Sequence, residues 1–192
     1  MKGRFEIRIA GSGGQGTIVA TEIIAHAAAL YEKDLYVAQT KSIGPEARGG
    51  KSRAELVISK EPIDYPKIIA ANLQIILTQL ATEYAFDTSP EGRIIYDDFF
   101  VENIPGREEG KPRIDAKYYH LPIVKTAREK VGKEITTNMV ALGTAARVME
   151  LENVMSPDSI RKSITEHFPD KKDINLQAFD EGYKLFKETK PT

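Results

Sequence analysis

A glycine-rich loop between two regularly patterned segments constrains this chain more than any other feature. Residues 11–16 read Gly-Ser-Gly-Gly-Gln-Gly and satisfy the pattern G-x-G-x-x-G. Residues 5–10 alternate apolar and charged side chains, as a strand does, and Thr17 to Tyr31 places apolar residues at helical spacing. Such a loop turns tightly and lets a phosphate approach the N-terminus of the helix. The order strand, loop, helix therefore predicts an α/β fold with a phosphate-bearing molecule as one candidate ligand.

The remainder of the chain continues as an α/β protein. Further strands are predicted at 34–40, 53–59, 73–78, 93–96 and 118–123. Three helices close the chain, the second with Ser156 as its cap and the last with an apolar stripe at Leu176, Phe179, Tyr183 and Phe186. Strands that alternate with helices predict helices on both faces of a sheet, and strands without long connections predict a mixed sheet. With 192 residues and no linker or repeat, we expect one domain spanning 1–192.

Composition excludes several classes of function. Cysteine is absent, so the chain has no disulfide, thiolate metal site or cysteine-ligated iron–sulfur cluster. The three histidines are far apart and lack zinc-enzyme spacing, so no metal site is predicted. A net charge of −1 argues against a general nucleic-acid binder. No apolar run reaches the length of a signal-peptide core or a membrane span, which predicts a cytoplasmic protein without membrane contact.

The identity of a ligand at the glycine loop stays open at this level. An NAD enzyme places an acid at the end of its second strand, where it holds the ribose. Here that strand ends at Lys41, and Asp34 lies at its opposite end. A cation suits a phosphate, as in NADP or coenzyme A. The alternatives are a phosphate ligand, NAD(P), or glycines that only allow close packing of strand and helix.

A second glycine patch follows at residues 41–53 and carries four cations: Lys41, Arg48, Lys51 and Arg53. The end of the second strand should lie near the first loop, so Lys41 and Gly13 are candidates to share one ligand. The planar guanidinium of Arg48 suits a phosphate or a carboxylate. The equal alternative is a solvated loop in which Arg48 pairs with Glu46 or with a partner protein.

No nucleophile–base pair is evident, so no catalytic residue is assigned to this chain. We expect His26 to pack against the sheet and His120 to pack within its strand. His167 lies at a helix end, where it favours the helix dipole. Asp97 and Asp98 follow a strand, and we expect a solvated turn there.

The motifs together resemble the gamma subunit of 2-oxoacid:ferredoxin oxidoreductases. The resemblance is carried by the loop at 11–16, by Gly-Pro-Glu-Ala-Arg-Gly-Gly at 44–50 with the strand that follows, by Asn-Met-Val-Ala-Leu-Gly at 138–143, and by Asn175 with Gly182-Tyr183. It covers nearly the whole chain, and its motifs occur in matching order. Residues 39–48 and 63–66 are most similar to the 2-oxoglutarate branch of that family.

This resemblance implies a three-layer α/β/α sandwich with a mixed, mostly parallel Rossmann-like sheet. It implies a subunit of an enzyme that decarboxylates a 2-oxoacid oxidatively, forms acyl-coenzyme A and passes electrons to ferredoxin. Thiamine diphosphate, Mg and iron–sulfur clusters are expected on alpha, beta and delta partner subunits, and a homodimer is expected when the chain is isolated. Coenzyme A is expected to be bound partly by this chain. The implied binding residues are Gly11, Gly13, Gly14, Gln15, Gly16, Lys41 and Arg48. Pyruvate or branched-chain 2-oxoacid specificity, or a stand-alone NADP-binding reductase, are the alternatives.

Overall fold

A single six-stranded sheet forms the centre of the described structure. The computed structural model describes residues 3–43, 50–104 and 114–191. The strands are β1 (Arg4–Ser12), β2 (Tyr36–Ile43), β3 (Lys51–Ser59), β4 (Ala71–Ile76), β5 (Thr88–Asp97) and β6 (Ala116–Leu121). Their order is β2-β3-β1-β4-β5-β6. The pairs β1–β4, β4–β5 and β5–β6 are parallel, and β3 is antiparallel to both neighbours. The prediction of a mixed, mostly parallel sheet is confirmed.

The helices follow the predicted pattern closely. They are α1 (Thr17–Tyr31), α2 (Ile123–Thr126), α3 (Thr137–Leu151), α4 (Pro157–His167) and α5 (Lys172–Glu188). The predicted cap of α4 is confirmed, because Ser156 Oγ accepts a hydrogen bond from the backbone N–H of Asp158 at 3.2 Å. Neither α2, whose first residue was predicted to end a strand, nor a 3-10 segment at Gln79–Asp87 was predicted. Among the described helices, none combines the length and the apolarity that a membrane span requires.

The two faces of the sheet are covered differently. One face carries Ile7, Ile9 and the other inward residues of the main core, which pack against the α-helices. The opposite face buries a smaller cluster that includes Ile76 and Ile94 beneath the 3-10 segment. The chain therefore forms three layers. More apolar surface is buried on the α-helical side, so that side contributes more to the stability of the fold.

The topology gathers several connections at one edge of the sheet. Strands β1, β4, β5 and β6 run parallel, so all four carboxyl ends lie at the same edge. The glycine loop follows β1 there, and the turn after Asp97 and the start of α2 follow β5 and β6. This edge is where α/β sheets bind ligands.

Two expectations about polar side chains were wrong. His26 is turned toward α4, where its Nδ1 lies 3.0 Å from Ser163 Oγ, so it does not pack against the sheet. His120 does have a packing contact, since it stacks on the ring of Tyr96, 4.7 Å away, although it is exposed. Asp97 is fully buried, and only Asp98 faces solvent. Each error concerns the direction of a side chain, which the sequence pattern predicts less well than the element that carries it.

Candidate functional site

Two glycines of the loop occupy positions where a side chain would not fit. Gly16 is the N-cap residue of α1 and has a φ of +72°, in the left-handed region. A Cβ there would overlap the side-chain amide of Asn138, whose Nδ2 donates to Gly16 O at 3.4 Å. A Cβ at Gly11 would overlap the carboxamide of Gln15. The glycines therefore allow both α3 and Gln15 to approach the loop backbone.

Hydrogen bonds to the loop fix its shape. The N–H of Gly13 donates to Gly50 O at 2.8 Å, which joins the loop to the start of β3. The N–H of Ser12 donates to Gln15 Oε1 at 2.7 Å. Because these donors are already used, Gly13 and Ser12 have no free N–H for a ligand, and Gln15 acts as an internal brace of the loop.

The donors that remain lie at the tip of the loop and the start of α1. Within the described residues, no hydrogen-bond acceptor is found for the N–H of Gly14 or Gly16. A Cβ built on Gly14 meets no atom within 4 Å, so the backbone is open to close approach. Free N–H groups at the positive end of a helix dipole favour an anion.

Two cavities flank the loop. The smaller has a volume of about 250 Å³ and lies between the loop, Phe100 and Ile135. The larger, about 360 Å³, is lined by Gly14, Gly16, Asn138 and the lysines Lys133 and Lys171. The starts of α1, α3 and α5 meet at this larger cavity, because Gly16, Thr136 and Lys171 are their N-cap residues. Three helix starts and two lysines favour an anion at this cavity, while Val19, Phe168 and Ile174 give it an apolar wall.

Lys41 lies apart from these cavities. Its Nζ is 3.8 Å from Glu22 Oε1, and its side chain is 59% exposed. Together with Arg53 and Lys67 it lines a third cavity of about 150 Å³, to which the glycine loop does not contribute. Among the cavities formed by the described residues, the one that Lys41 lines does not include Gly13. Arg48 lies outside the described residues.

A buried carboxylate organises the turn beside the loop. Asp97, at the end of β5, is fully buried and accepts backbone hydrogen bonds from Phe99 and Phe100, both at 3.0 Å, and from Val124 at 2.8 Å. Burial raises the pKa of this carboxyl above its ordinary value. The three backbone hydrogen bonds make Asp97 a structural acceptor. In the segments the structure describes, no cluster of three metal-ligating side chains occurs.

The contact between His26 and Ser163 is equally structural. Ser163 is fully buried, and its hydroxyl donates to Ile23 O at 3.0 Å. The hydroxyl therefore has neither solvent access nor a free proton for nucleophilic chemistry.

Sequence reasoning missed Lys133, Lys171 and Asn138 as residues of the loop environment. Each lies at or just before the start of a helix. The helix starts were predictable from the sequence, but their convergence on the glycine loop depends on how α3 and α5 pack.

Comparison with known proteins agrees with this architecture. The family model described as pyruvate ferredoxin/flavodoxin oxidoreductase matches residues 6–185. The chain is 40% identical to the 2-oxoglutarate synthase subunit KorC of Methanocaldococcus jannaschii over 98% of this chain and 97% of that protein.

Two solved structures share the fold over nearly the whole chain. One is the gamma subunit of a keto/oxoacid ferredoxin oxidoreductase from Geobacter sulfurreducens, with 33% identity, a TM-score of 0.83 and coverage of 98% of this chain and 99% of that one. The other is the 2-oxoglutarate:ferredoxin oxidoreductase of Magnetococcus marinus, solved with 2-oxoglutarate, coenzyme A and succinyl-CoA, with 26% identity and a TM-score of 0.81; the match covers 100% of this chain and 32% of that one. The chain therefore belongs to the pyruvate ferredoxin/flavodoxin oxidoreductase family and is an oxidoreductase subunit of the gamma type.

Proposed function

We propose that this chain is the gamma subunit of a 2-oxoglutarate:ferredoxin oxidoreductase, which converts 2-oxoglutarate and coenzyme A to succinyl-CoA and CO2 and passes two electrons to ferredoxin. The choice among 2-oxoacids is supported by identity, which is 40% to a 2-oxoglutarate synthase subunit, 30% to a pyruvate synthase subunit and 28% to a ketoisovalerate oxidoreductase subunit. Pyruvate and branched-chain 2-oxoacids are the alternative substrates.

Within that enzyme, the chain borders the coenzyme A site at its glycine loop. The observation that carries this proposal is the open tip of the loop, where the N–H groups of Gly14 and Gly16 stand beside a cavity that Lys133 and Lys171 help to line. Phosphate groups are favoured at such a helix start. Lys133 and Lys171 are suited to hold the phosphates, while Gly11, Gly13 and Gln15 shape the loop. Lys41 and Arg48 remain predicted contacts.

The chain depends on partner subunits for its chemistry. It has no cysteine, so the iron–sulfur clusters are assigned to partners, as are thiamine diphosphate and Mg. Alpha, beta and delta subunits are the proposed partners, and ferredoxin is reached through the complex. We assign residues 1–192 to one cytoplasmic domain, which self-associates as a homodimer when isolated.

The test is a steady-state assay of the reconstituted complex, with 2-oxoglutarate-dependent reduction of ferredoxin as the readout. Lys171→Ala and Lys41→Ala are compared with Lys60→Ala, an exposed lysine at the end of β3 on the opposite edge. Loss of one charged contact to a phosphate raises the KM for coenzyme A about tenfold, with little change in the KM for 2-oxoglutarate.

The outcomes separate the parts of the proposal. Faster turnover of pyruvate than of 2-oxoglutarate would overturn the substrate assignment. An unchanged KM for coenzyme A in both lysine variants would show that these side chains do not contact coenzyme A. Binding of NADP by the isolated chain would favour the stand-alone reductase.

A further inference from the structure

A ridge of three exposed apolar side chains and one ion pair stands beside the glycine loop. It consists of Phe99, Phe100 and Ile135 with the pair Arg128 and Glu134, and we call it the docking ridge. The rings of Phe99 and Phe100 meet edge to face, with centroids 4.7 Å apart, and the Arg128 guanidinium lies 4.5 Å from the centre of the Phe99 ring. Arg128 Nε donates to Glu134 Oε2 at 2.7 Å, which connects the rings to Ile135.

From this arrangement we propose that the docking ridge binds another subunit of the same oxidoreductase. That subunit is the one that corresponds to the rest of the longer Magnetococcus marinus chain, of which this fold is one part. The inference rests on the proposed function, because it names the partner that faces the glycine-loop site. It goes beyond that function by locating the contact surface.

Three large apolar side chains of the ridge are exposed and lie close together. The exposed fractions are 54% for Phe99, 37% for Phe100 and 85% for Ile135. Contiguous apolar surface of this kind marks a site of protein association. Its one cation and one anion neutralise each other, since Arg128 and Glu134 form an ion pair. The ridge thus fits an apolar partner segment better than a charged one.

The ridge is also held rigidly. Asp97 accepts the N–H groups of Phe99 and Phe100, so the turn that presents the two rings is fixed from below. On the other side, Thr136 Oγ1 donates to Lys133 O at 2.7 Å and Thr137 Oγ1 donates to Glu134 O at 2.6 Å, which fixes the turn that carries Ile135. Preorganised aromatic side chains lose little entropy on binding and are typical anchors of interfaces.

A socket lies between the ridge and the glycine loop. The cavity of about 250 Å³ is lined by Gly14 and Gln15 on one side and by Phe100 and Ile135 on the other. A partner side chain inserted there would contact both the ridge and the loop. The same contact would cover the open tip of the glycine loop, where this chain is proposed to border the coenzyme A site.

The choice of occupant follows from two relatives that carry this fold in different contexts. The fold accounts for 32% of the Magnetococcus marinus chain, so about two thirds of that polypeptide is covalently attached to it there. In the 2-oxoglutarate synthase subunit KorC of Methanocaldococcus jannaschii the fold spans 97% of the protein, so a subunit of that kind must contact the corresponding polypeptide without a peptide link. The docking ridge lies beside the glycine loop, which is proposed to border the coenzyme A site. Its apolar surface is suited to that contact.

The test measures association of the chain with its purified partner subunits, without coenzyme A or 2-oxoacid. The double variant Phe99→Asp/Ile135→Asp is compared with Phe86→Asp/Leu151→Asp. The control residues have exposed fractions of 54% and 48% and lie at the opposite edge of the sheet. We expect the ridge variant to raise the dissociation constant about thirtyfold or more, the effect of losing an interface hot spot, while the control stays close to the wild type.

Thermal unfolding of each isolated variant tests folding, and Phe99→Leu/Ile135→Leu, which keeps the surface apolar, should retain most of the affinity. Wild-type affinity in the aspartate ridge variant, or equal weakening in the control, would overturn the proposal. The readout here is association alone. An unchanged KM for coenzyme A in the lysine variants would therefore rule out contacts between those lysines and coenzyme A without contradicting the docking-ridge proposal. Failure of the wild-type chain to bind any partner would instead overturn the proposed function.

Discussion

Gly143 of α3 and Gly182 of α5 each lie against the backbone of the other helix. A Cβ on Gly143 would overlap the carbonyl oxygen of Phe179 and come within 2.7 Å of the backbone nitrogen of Tyr183. A Cβ on Gly182 would overlap the carbonyl oxygen of Val140. The two helices therefore meet backbone to backbone, which brings the start of α5 next to the starts of α3 and α1.

We predict that Gly143→Ala lowers the free energy of unfolding by about 3 kcal/mol, because neither backbone can yield without separating the helices. A chain of this size then melts roughly 10 °C lower. The measurement is denaturant and thermal unfolding of the isolated chain. Gly13→Ala is the control, because the nearest atom to a Cβ there is Gly50 O at 3.8 Å. Equal stability of the two variants would show that the helix contact is looser than described.

A second prediction concerns the buried ion pair between Arg8 and Glu55. Arg8 Nε donates to Glu55 Oε1 at 2.8 Å, and the side chains are only 4% and 9% exposed. Glu55→Gln removes the negative charge that neutralises the buried guanidinium of Arg8. We expect the free energy of unfolding to fall by about 3 kcal/mol.

The second ion pair of Arg8 serves as the control. Arg8 also pairs with Asp87 at 2.8 Å, but that carboxylate is 52% exposed. Asp87→Asn should cost at most about 1 kcal/mol, because water screens this pair. A larger loss from Asp87→Asn than from Glu55→Gln would contradict the assignment of the buried pair as the stronger one.

A third prediction is a pH dependence at the contact between α3 and α5. The hydroxyl of Tyr183 donates to Glu150 Oε2 at 2.5 Å, and this hydrogen bond lowers the pKa of the Glu150 carboxyl below its ordinary value of 4.5. A carboxyl whose pKa is lowered in the folded state stabilises the fold above its unfolded pKa, and the contribution is lost as the pH falls through the lowered pKa.

Tyr183→Phe should therefore reduce the free energy of unfolding by about 1 kcal/mol at pH 7 and by clearly less near pH 3. Unfolding curves at the two pH values measure the difference. Tyr65→Phe, at a tyrosine that is 52% exposed, is the matched control. The same loss at both pH values would assign the effect to packing instead of to the charged hydrogen bond.

The local elements of this protein could be predicted from the order of its residues alone. The predicted helix from Thr17 to Tyr31 matches α1, because apolar spacing and the preceding glycines mark its start and length. The stripe through Phe179 and Phe186 correctly predicted a packed face of α5, and both residues are buried in the main core. The glycine loop was likewise predictable, since its pattern depends on neighbours in sequence.

Which residues meet at that loop depends on how distant segments of the chain pack together. Insertion of β3 between β1 and β2 separates Lys41 from the glycines, and the register that causes this is a property of three distant segments. Lys133 and Lys171 lie beside the loop because α3 and α5 pack closely on each other. Asp97 is buried because α2 and the Phe99–Phe100 turn close over it. Local patterns carry information about neighbours along the chain, whereas the site is made of long-range contacts that exist only after packing.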